Sequence, residues 1–320
     1  MSEPVIRLSD VTKRYGGFTA VDDLSFEVAP GAIYGFLGQN GAGKTTTLRM
    51  LMDIVPPTSG EVRVLGAGRP RQVRHRVGYL PEERGLYKKM KAADSIAYFA
   101  RLKGVDGKTA RDRAGALLER FGLAEFASSK IEALSKGMAQ KVQLLSVIAH
   151  EPELLILDEP FSGLDPVNQQ LLEDVILELR EGGRTIVFST HVMQHAERLC
   201  DRFLMIAHGR RVFEGTLADA RAADAGRLVL ATPDDTGPLG SVPGVEAVAP
   251  IGHERYEIRL RPGADPQDVL RACLASGIRV LSFGAEAASL HELFFRFAGA
   301  TPAPEPGPAS VPAAPREEAA

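Results

Sequence analysis

The sequence predicts an α/β fold built around a phosphate-binding loop, and three observations carry that prediction. Residues 38–46 read Gly-Gln-Asn-Gly-Ala-Gly-Lys-Thr-Thr, with Gly38, Gly43, Lys44 and Thr45 in the defining places of the phosphate-loop pattern. Residues 32–37 before it form an apolar run of strand length; residues 45–52 after it carry apolar side chains at 48, 51 and 52, as a helix does. A second apolar run, 154–157, delivers two adjacent carboxylates, Asp158 and Glu159, to its end.

The chemistry of the loop follows from its backbone. Gly38, Gly41 and Gly43 let successive N–H groups turn inward around a phosphate, and Gln39, Asn40, Ala42 and Thr46 complete the cradle. The helix that follows adds unpaired donors and a partial positive charge at its start. Lys44 is a compact cation within reach of the outer phosphates, and the Thr45 hydroxyl is a ligand for Mg²⁺. The expected ligand is a nucleoside triphosphate with its metal.

Taken in order, residues 5–8 and 24–28 read as antiparallel strands leading into the nucleotide-binding sheet. Tyr15 stands just before a Gly-Gly turn, where its ring could stack on adenine or cover a strand edge. Residues 61–66 and 77–80 read as further strands. From 82 to about 150 the pattern turns helical, clearest at 95–103 and 109–121, and an insertion of that size predicts a helical subdomain. The 153–158 segment is then a buried strand of the Walker B kind. Asp158 is expected to hold Mg²⁺, and Glu159 to point at the γ-phosphate as general base. A helix over 167–180 and a strand over 184–189 follow, ending at His191, which is placed to hydrogen-bond the γ-phosphate.

From about residue 226 the composition shifts. Short strands at 227–231, 246–250, 256–260 and 279–283, with helices at 266–275 and 289–298, predict a small α/β extension over 226–299. In the last helix Leu290, Leu293, Phe294 and Phe297 share a face suited to core packing. Residues 300–320, rich in Pro, Ala and Glu, are expected to be a disordered tail.

The totals exclude several classes. With 320 residues, 44% hydrophobic and 25% charged, the chain has room for one large and one small soluble domain. A net charge of −3 argues against a dedicated nucleic-acid binder. Cys200 and Cys273 are far apart without metal spacing and read as two buried free thiols. No signal peptide is visible, and no apolar run approaches the ~20 residues that span a bilayer.

The order of these features over roughly residues 4–225 resembles the ATP-binding cassette (ABC) family. The decisive piece is Leu134-Ser135-Lys136-Gly137-Met138, similar to that family's Leu-Ser-Gly-Gly-Gln signature. Ser135 and Gly137 are kept; Lys136 replaces a glycine and Met138 the glutamine. The resemblance implies a P-loop NTPase fold of ABC type: a mixed core sheet, an antiparallel β subdomain and a helical subdomain at about 82–150. It also implies that Ser135 and Gly137 meet ATP held by a second subunit in a head-to-tail dimer. Tyr15 takes the place of the adenine-stacking aromatic, His191 that of the switch histidine, and residues 162–165 that of a loop crossing the interface. Where the family has a glutamine near Mg²⁺ and the membrane-subunit contact, this chain has Glu82, a carboxylate that can still offer an oxygen to the metal. The run 82–87, Glu-Glu-Arg-Gly-Leu-Tyr, and the carboxy-terminal extension resemble bacterial exporter ATPases likened to sodium and drug efflux systems.

The resulting expectation is the cytosolic ATP-hydrolysing subunit of an exporter. It uses ATP and Mg²⁺, pairs with a second ATPase subunit as a homodimer, and sits on the inner face of the membrane through separate transmembrane permease subunits. No nucleic-acid partner is expected. The rival reading is a soluble, non-transport ABC ATPase acting on ribosomes or DNA.

Overall fold

The computed structural model describes residues 3–299, apart from 84, 225, 262, 286 and 287. The expected tail over 300–320 lies outside the described residues. The first strands, β1 (Ile6–Tyr15) and β2 (Phe18–Val28), form a hairpin, and β4 (Ser59–Val64) joins it in an antiparallel sheet of order β2-β1-β4. Both hairpin strands extend well beyond their apolar runs, because strand pairing continues to Tyr15 opposite Phe18 at the Gly-Gly turn.

The central sheet contains β3 (Ile33–Leu37), β5 (Val77–Leu80), β6 (Leu154–Asp158), β7 (Thr185–Thr190), β8 (Arg202–Ala207) and β9 (Arg210–Gly215). Their order is β5-β6-β7-β3-β8-β9, parallel except for the antiparallel edge strand β9. Every residue of β3, β6 and β7 is buried, so their centres read as continuous apolar runs rather than alternating ones. One face of the sheet packs on the antiparallel sheet through Phe26, Tyr34, Phe36 and Val64. The other carries α2 (Ala92–Leu102), α3 (Gly107–Arg120), α4 (Lys136–Ile148) and α5 (Pro166–Glu181) over Ile33, Leu155, Ile186 and Phe188. Asp106 caps α3 by accepting from Thr109 N at 3.0 Å, and Ser135 caps α4 by accepting from Met138 N at 3.3 Å. That cap starts α4 at Lys136.

The hairpin β8–β9 and the helices α6 (Met193–Leu199) and α7 (Leu217–Ala223) have no counterpart in the sequence reading. The hairpin turns on His208-Gly209, both at positive φ (51° and 78°), a tight two-residue turn in which histidine stands where Asn or Asp usually signals one.

Beyond 226, β10 (Arg227–Ala231), β11 (Val245–Gly252), β12 (Arg255–Leu260) and β13 (Ser282–Gly284) form a third sheet of order β11-β12-β10-β13. Helix α8 (Pro266–Ala275) covers it through Val269 and Cys273. The strand expected at 279–283 starts later, because Arg279 N is held by Asp234 Oδ2 at 2.7 Å outside the ladder. Helix α9 (Leu290–Phe297) turns back to the first body and buries Leu290, Leu293 and Phe294 with Leu37, Met193, Phe203 and Met205. Arg227 bonds Glu257 at 3.0 Å and Glu292 at 3.2 Å, tying that helix to the small sheet. Both cysteines are free; Cys273 is buried, but Cys200 is only half-buried, a correction to the expected pair of buried thiols.

Candidate active site

Three parallel strands end side by side and set the site. The register pairs Leu37 with Thr190 and Asp158 with Ser189, so the phosphate loop, the two carboxylates and His191 all leave one edge of the sheet. The loop's glycines answer to packing as well as to phosphate. A Cβ at Gly38 would stand 2.4 Å from the Ile206 carbonyl; one at Gly43 would stand 2.5 Å from the Ala20 carbonyl, at φ +106°.

Lys44 is buried at the start of α1 (Lys44–Leu51), donating to the Gly38 carbonyl at 2.6 Å and the Gln39 carbonyl at 3.2 Å. Its ammonium lies 3.2 Å from Glu159 Oε1, without hydrogen-bond geometry, and that buried oxygen has no hydrogen-bond partner. The other oxygen of Glu159 meets His191 Nδ1 at 2.9 Å. Glu159 sits at φ +48°, a left-handed conformation that costs a branched or long side chain energy and that active sites tend to keep.

Asp158 accepts from the Thr45 hydroxyl at 3.1 Å and the Ser189 hydroxyl at 2.7 Å. Burial pushes its carboxyl above the usual carboxylate range; those two hydrogen bonds offset part of the rise, and the neighbouring Glu159 charge adds to it. Ser189 also accepts from Glu159 N at 2.9 Å, so one hydroxyl fixes the Asp158 carboxylate and the backbone that carries Glu159. Ser189 was not among the sequence-predicted site residues. Its signal was a hydroxyl ending an apolar strand that runs beside the Asp158 strand.

A cavity of about 330 Å³ opens beside these groups, lined by Glu82, Glu83, Lys136, Gln140, Asp158, Glu159 and Gly163 among others. Glu82 therefore shares a cavity with Asp158. Gln140, which sequence reading also missed, donates to the Pro160 carbonyl at 3.0 Å and so ties α4 to the loop after Glu159. Ser135 is exposed at the cap of α4, and Gly137 approaches Asn168, whose Nδ2 would stand 3.1 Å from an added Cβ. Tyr15, 47% exposed, stands apart on the β1–β2 hairpin with Lys13 Nζ 4.9 Å above its ring. Gln39, Asn40, Gly41 and Ala42 face α9 across a cavity of about 120 Å³, and Thr46 lies in the first turn of α1. The predicted residues thus divide: Lys44, Thr45, Asp158, Glu159 and His191 join one contact network, whereas Ser135, Gly137 and Tyr15 lie on surfaces outside it.

The donor set suits its expected ligands. A glycine cradle with a buried lysine fits a triphosphate. The Thr45 hydroxyl and Asp158 carboxylate, 3.1 Å apart, are hard oxygen donors of the kind Mg²⁺ takes.

Residues 21–162 match the family described as ABC transporter, and residues 215–298 the family described as ATP-binding protein DrrA1-3-like, C-terminal domain. Over 297 residues the chain is 38% identical to Uncharacterized ABC transporter ATP-binding protein YhaQ of Bacillus subtilis, spanning 92% of this chain and 99% of that one. The chain belongs to the ATP-binding subunits of ABC transporters. Accordingly it is an ATP hydrolase. A further relative of this ABC subunit is Nod factor export ATP-binding protein I of Paraburkholderia xenovorans, 39% identical over 229 residues, 71% of this chain and 75% of that one. The solved structure of the ATP binding subunit of an ABC transporter superposes with a TM-score of 0.64 at 32% identity, covering 69% of this chain and 93% of that one. No helix among the described residues of the subunit is long and apolar enough to cross a membrane.

Proposed function

We propose that this subunit is one half of a head-to-tail homodimer that drives the separate membrane subunits of an exporter. The observation that carries the reading is the division of the site. Lys44, Thr45, Asp158, Glu159 and His191 form one buried-to-edge network, while Ser135 lies exposed at the start of a helix, free to face another copy.

In this reading Lys44 leaves the Gly38 carbonyl for the outer phosphates of ATP. The Gly41 and Gly43 backbone shapes the cradle, and Tyr15 stacks on adenine. Glu159 takes the proton of the attacking water as oxygen bonds to the γ-phosphorus. The bond from phosphorus to the bridging oxygen breaks, leaving ADP and phosphate. His191 holds the second oxygen of Glu159 and keeps the first aimed at the water. Thr45, Asp158 and Glu82 would hold Mg²⁺, which supplies charge neutralisation for the triphosphate when bound. Ser135 and Gly137 close the partner's site, and residues 162–165 cross between the copies. Residues 4–225 act as the ATP-binding body and 226–299 as an accessory one.

An apolar groove of about 410 Å³, walled by Met52, Ile54, Tyr79, Leu86, Phe99 and Val147, runs beside residues 82–90 and supports docking of a membrane subunit there. That contact would keep the subunit on the inner face of the membrane. The likeness to proteins named for Nod factor export supports the outward direction.

Ser135→Arg tests the dimer. The variant alone should bind ATP yet neither dimerise with ATP nor hydrolyse it. Mixing it with Lys44→Ala should restore part of the activity, because the intact phosphate loop of one copy then faces the intact Ser135 of the other. ATP-dependent dimers of Ser135→Arg at the level of the unaltered protein would sink the head-to-tail arrangement.

A further inference from the structure

We propose that His195 is a positioning residue for hydrolysis, setting where His191 stands against Glu159. The proposal rests on the catalytic reading of those two residues. His195 lies four positions after His191, and Phe161 two positions after Glu159. The two rings stack face to face, centroids 4.0 Å apart and planes within 12°. Phe161 in turn meets Phe188 edge-on at 5.8 Å, and Phe188 immediately precedes Ser189 in β7. The segments that carry Glu159 and His191 away from the sheet therefore close on one aromatic stack.

Helix α5 fixes the other side of the imidazole. His195 Nδ1 lies 2.8 Å from Glu173 Oε1, and Arg198 Nη2 donates to the same oxygen at 2.6 Å. Both His195 and Glu173 are buried. A buried carboxylate–histidine pair adds little stability over an apolar one of the same shape, so its presence points to geometry being held rather than to energy gained. His191 needs such support. Its ring is half exposed, and its only hydrogen bond or ion pair among the described residues is with Glu159, so its place is set by its backbone. That backbone is pinned on one side by Val192 N donating to Thr190 Oγ1 at 3.0 Å, and on the other by the His195 stack one turn into α6. A shift of that turn moves His191 off Glu159, and misplacement of about 1 Å at a reacting group can cost on the order of 100-fold in rate.

The test compares kcat and KM for ATP in His195→Asn, which keeps a donor for Glu173 but loses the stack, and Phe161→Leu, which removes the stack and leaves every charged group in place. Each should lower kcat by about 10- to 100-fold and leave KM within about twofold, as loss of transition-state geometry does. Made in a His191→Ala background, the same substitutions should lower kcat by less than about twofold further, because the group they position is gone. Thermal melting reports any unfolding separately, and Phe161→Leu serves if His195→Asn does not fold. Equal losses with and without His191 would overturn the role of His195 alone. Undiminished hydrolysis by His191→Ala would overturn the catalytic reading beneath it.

Discussion

The pairs Glu159–His191 and Glu173–His195 close at 2.9 and 2.8 Å, yet His191 is 46% exposed at the side chain and His195 only 4%. The first pair leaves one glutamate oxygen without a hydrogen-bond partner beside Lys44 and a solvent-open cavity. The second is sealed under Phe161, with Arg198 completing it. Identical chemistry serves different ends according to what surrounds it. A carboxylate with an oxygen and a cavity to itself can act on a substrate; one buried against a histidine and an arginine can act on structure.

The sharpest way to break this comparison is to remove each charge in turn. Glu159→Gln keeps shape and a bond to His191 but cannot take a proton, so hydrolysis should slow by about 10²- to 10⁴-fold, the scale of a lost general base. ATP binding should persist, and the ATP-bound dimer should accumulate. Glu173→Gln should instead lower the melting temperature, through about 1–3 kcal/mol lost from a buried charged hydrogen bond, and reduce kcat less. Steady-state ATPase and thermal melts on both variants decide it. Near-normal turnover of Glu159→Gln removes that residue from the chemistry.

The two pairs also differ in how much of each was legible. Glu159 follows an apolar strand and an aspartate, downstream of a phosphate loop, a local pattern that names its own chemistry. His195 and Glu173 lie on helices with no motif, and only the packing of α5 on α6 brings them together. Ser189 falls between these cases, since its strand was predicted but its partner depends on register. The parallel core was readable because strands buried on both faces are continuous apolar runs. The β8–β9 hairpin was not, because its turn uses His208 at positive φ, and β9 is mostly half-buried without clean alternation. Nor could periodicity alone show that α9 packs on the ATP-binding body, since an apolar face does not state what covers it.

A third histidine sharpens the comparison by lacking a carboxylate. His150 Nε2 lies 3.3 Å from the Val77 carbonyl, and Nδ1 is buried without a partner. Burial lowers its pKa to about 4, with the Lys103, Arg113 and His75 charges adding to the effect and the Val77 carbonyl opposing it. The folded protein then holds fewer protons than the unfolded chain between about pH 4 and 6.5. Stability from this site is complete above about pH 6.5, declines as pH falls, and is lost below about 4. His150→Gln keeps the donor and cannot titrate, so the decline over that window should shrink by about 1–2 kcal/mol, less than the full shift implies because the ring is partly solvated. Denaturant midpoints at several pH values measure it, and parallel curves for the two proteins would show that His150 carries none of the decline.

The smallest effect belongs to Glu82, where a carboxylate stands in the place of the family's glutamine. It is exposed, it lines the cavity that holds Asp158 and Glu159, and no ion pair among the described residues holds it. By the logic of the two pairs its weight depends on what arrives to face it. Glu82→Gln keeps the shape and one oxygen while removing a negative charge from a cavity with several. ATP binding should therefore be retained and basal ATPase should change by no more than about fivefold, the scale of an exposed charge contact. Stimulation by a reconstituted membrane partner should fall further, because that charge lies next to the groove proposed for docking. Glu82→Ala also removes the oxygen offered to Mg²⁺ and should raise the metal concentration needed for half-maximal activity. Glu83 is the internal control: the residue lines the same cavity, and its backbone carbonyl is held by Gln143 Nε2 at 3.2 Å. If the two alanine variants behave alike across a Mg²⁺ titration, with and without the partner, Glu82 is a solvated loop carboxylate and has no share in the site.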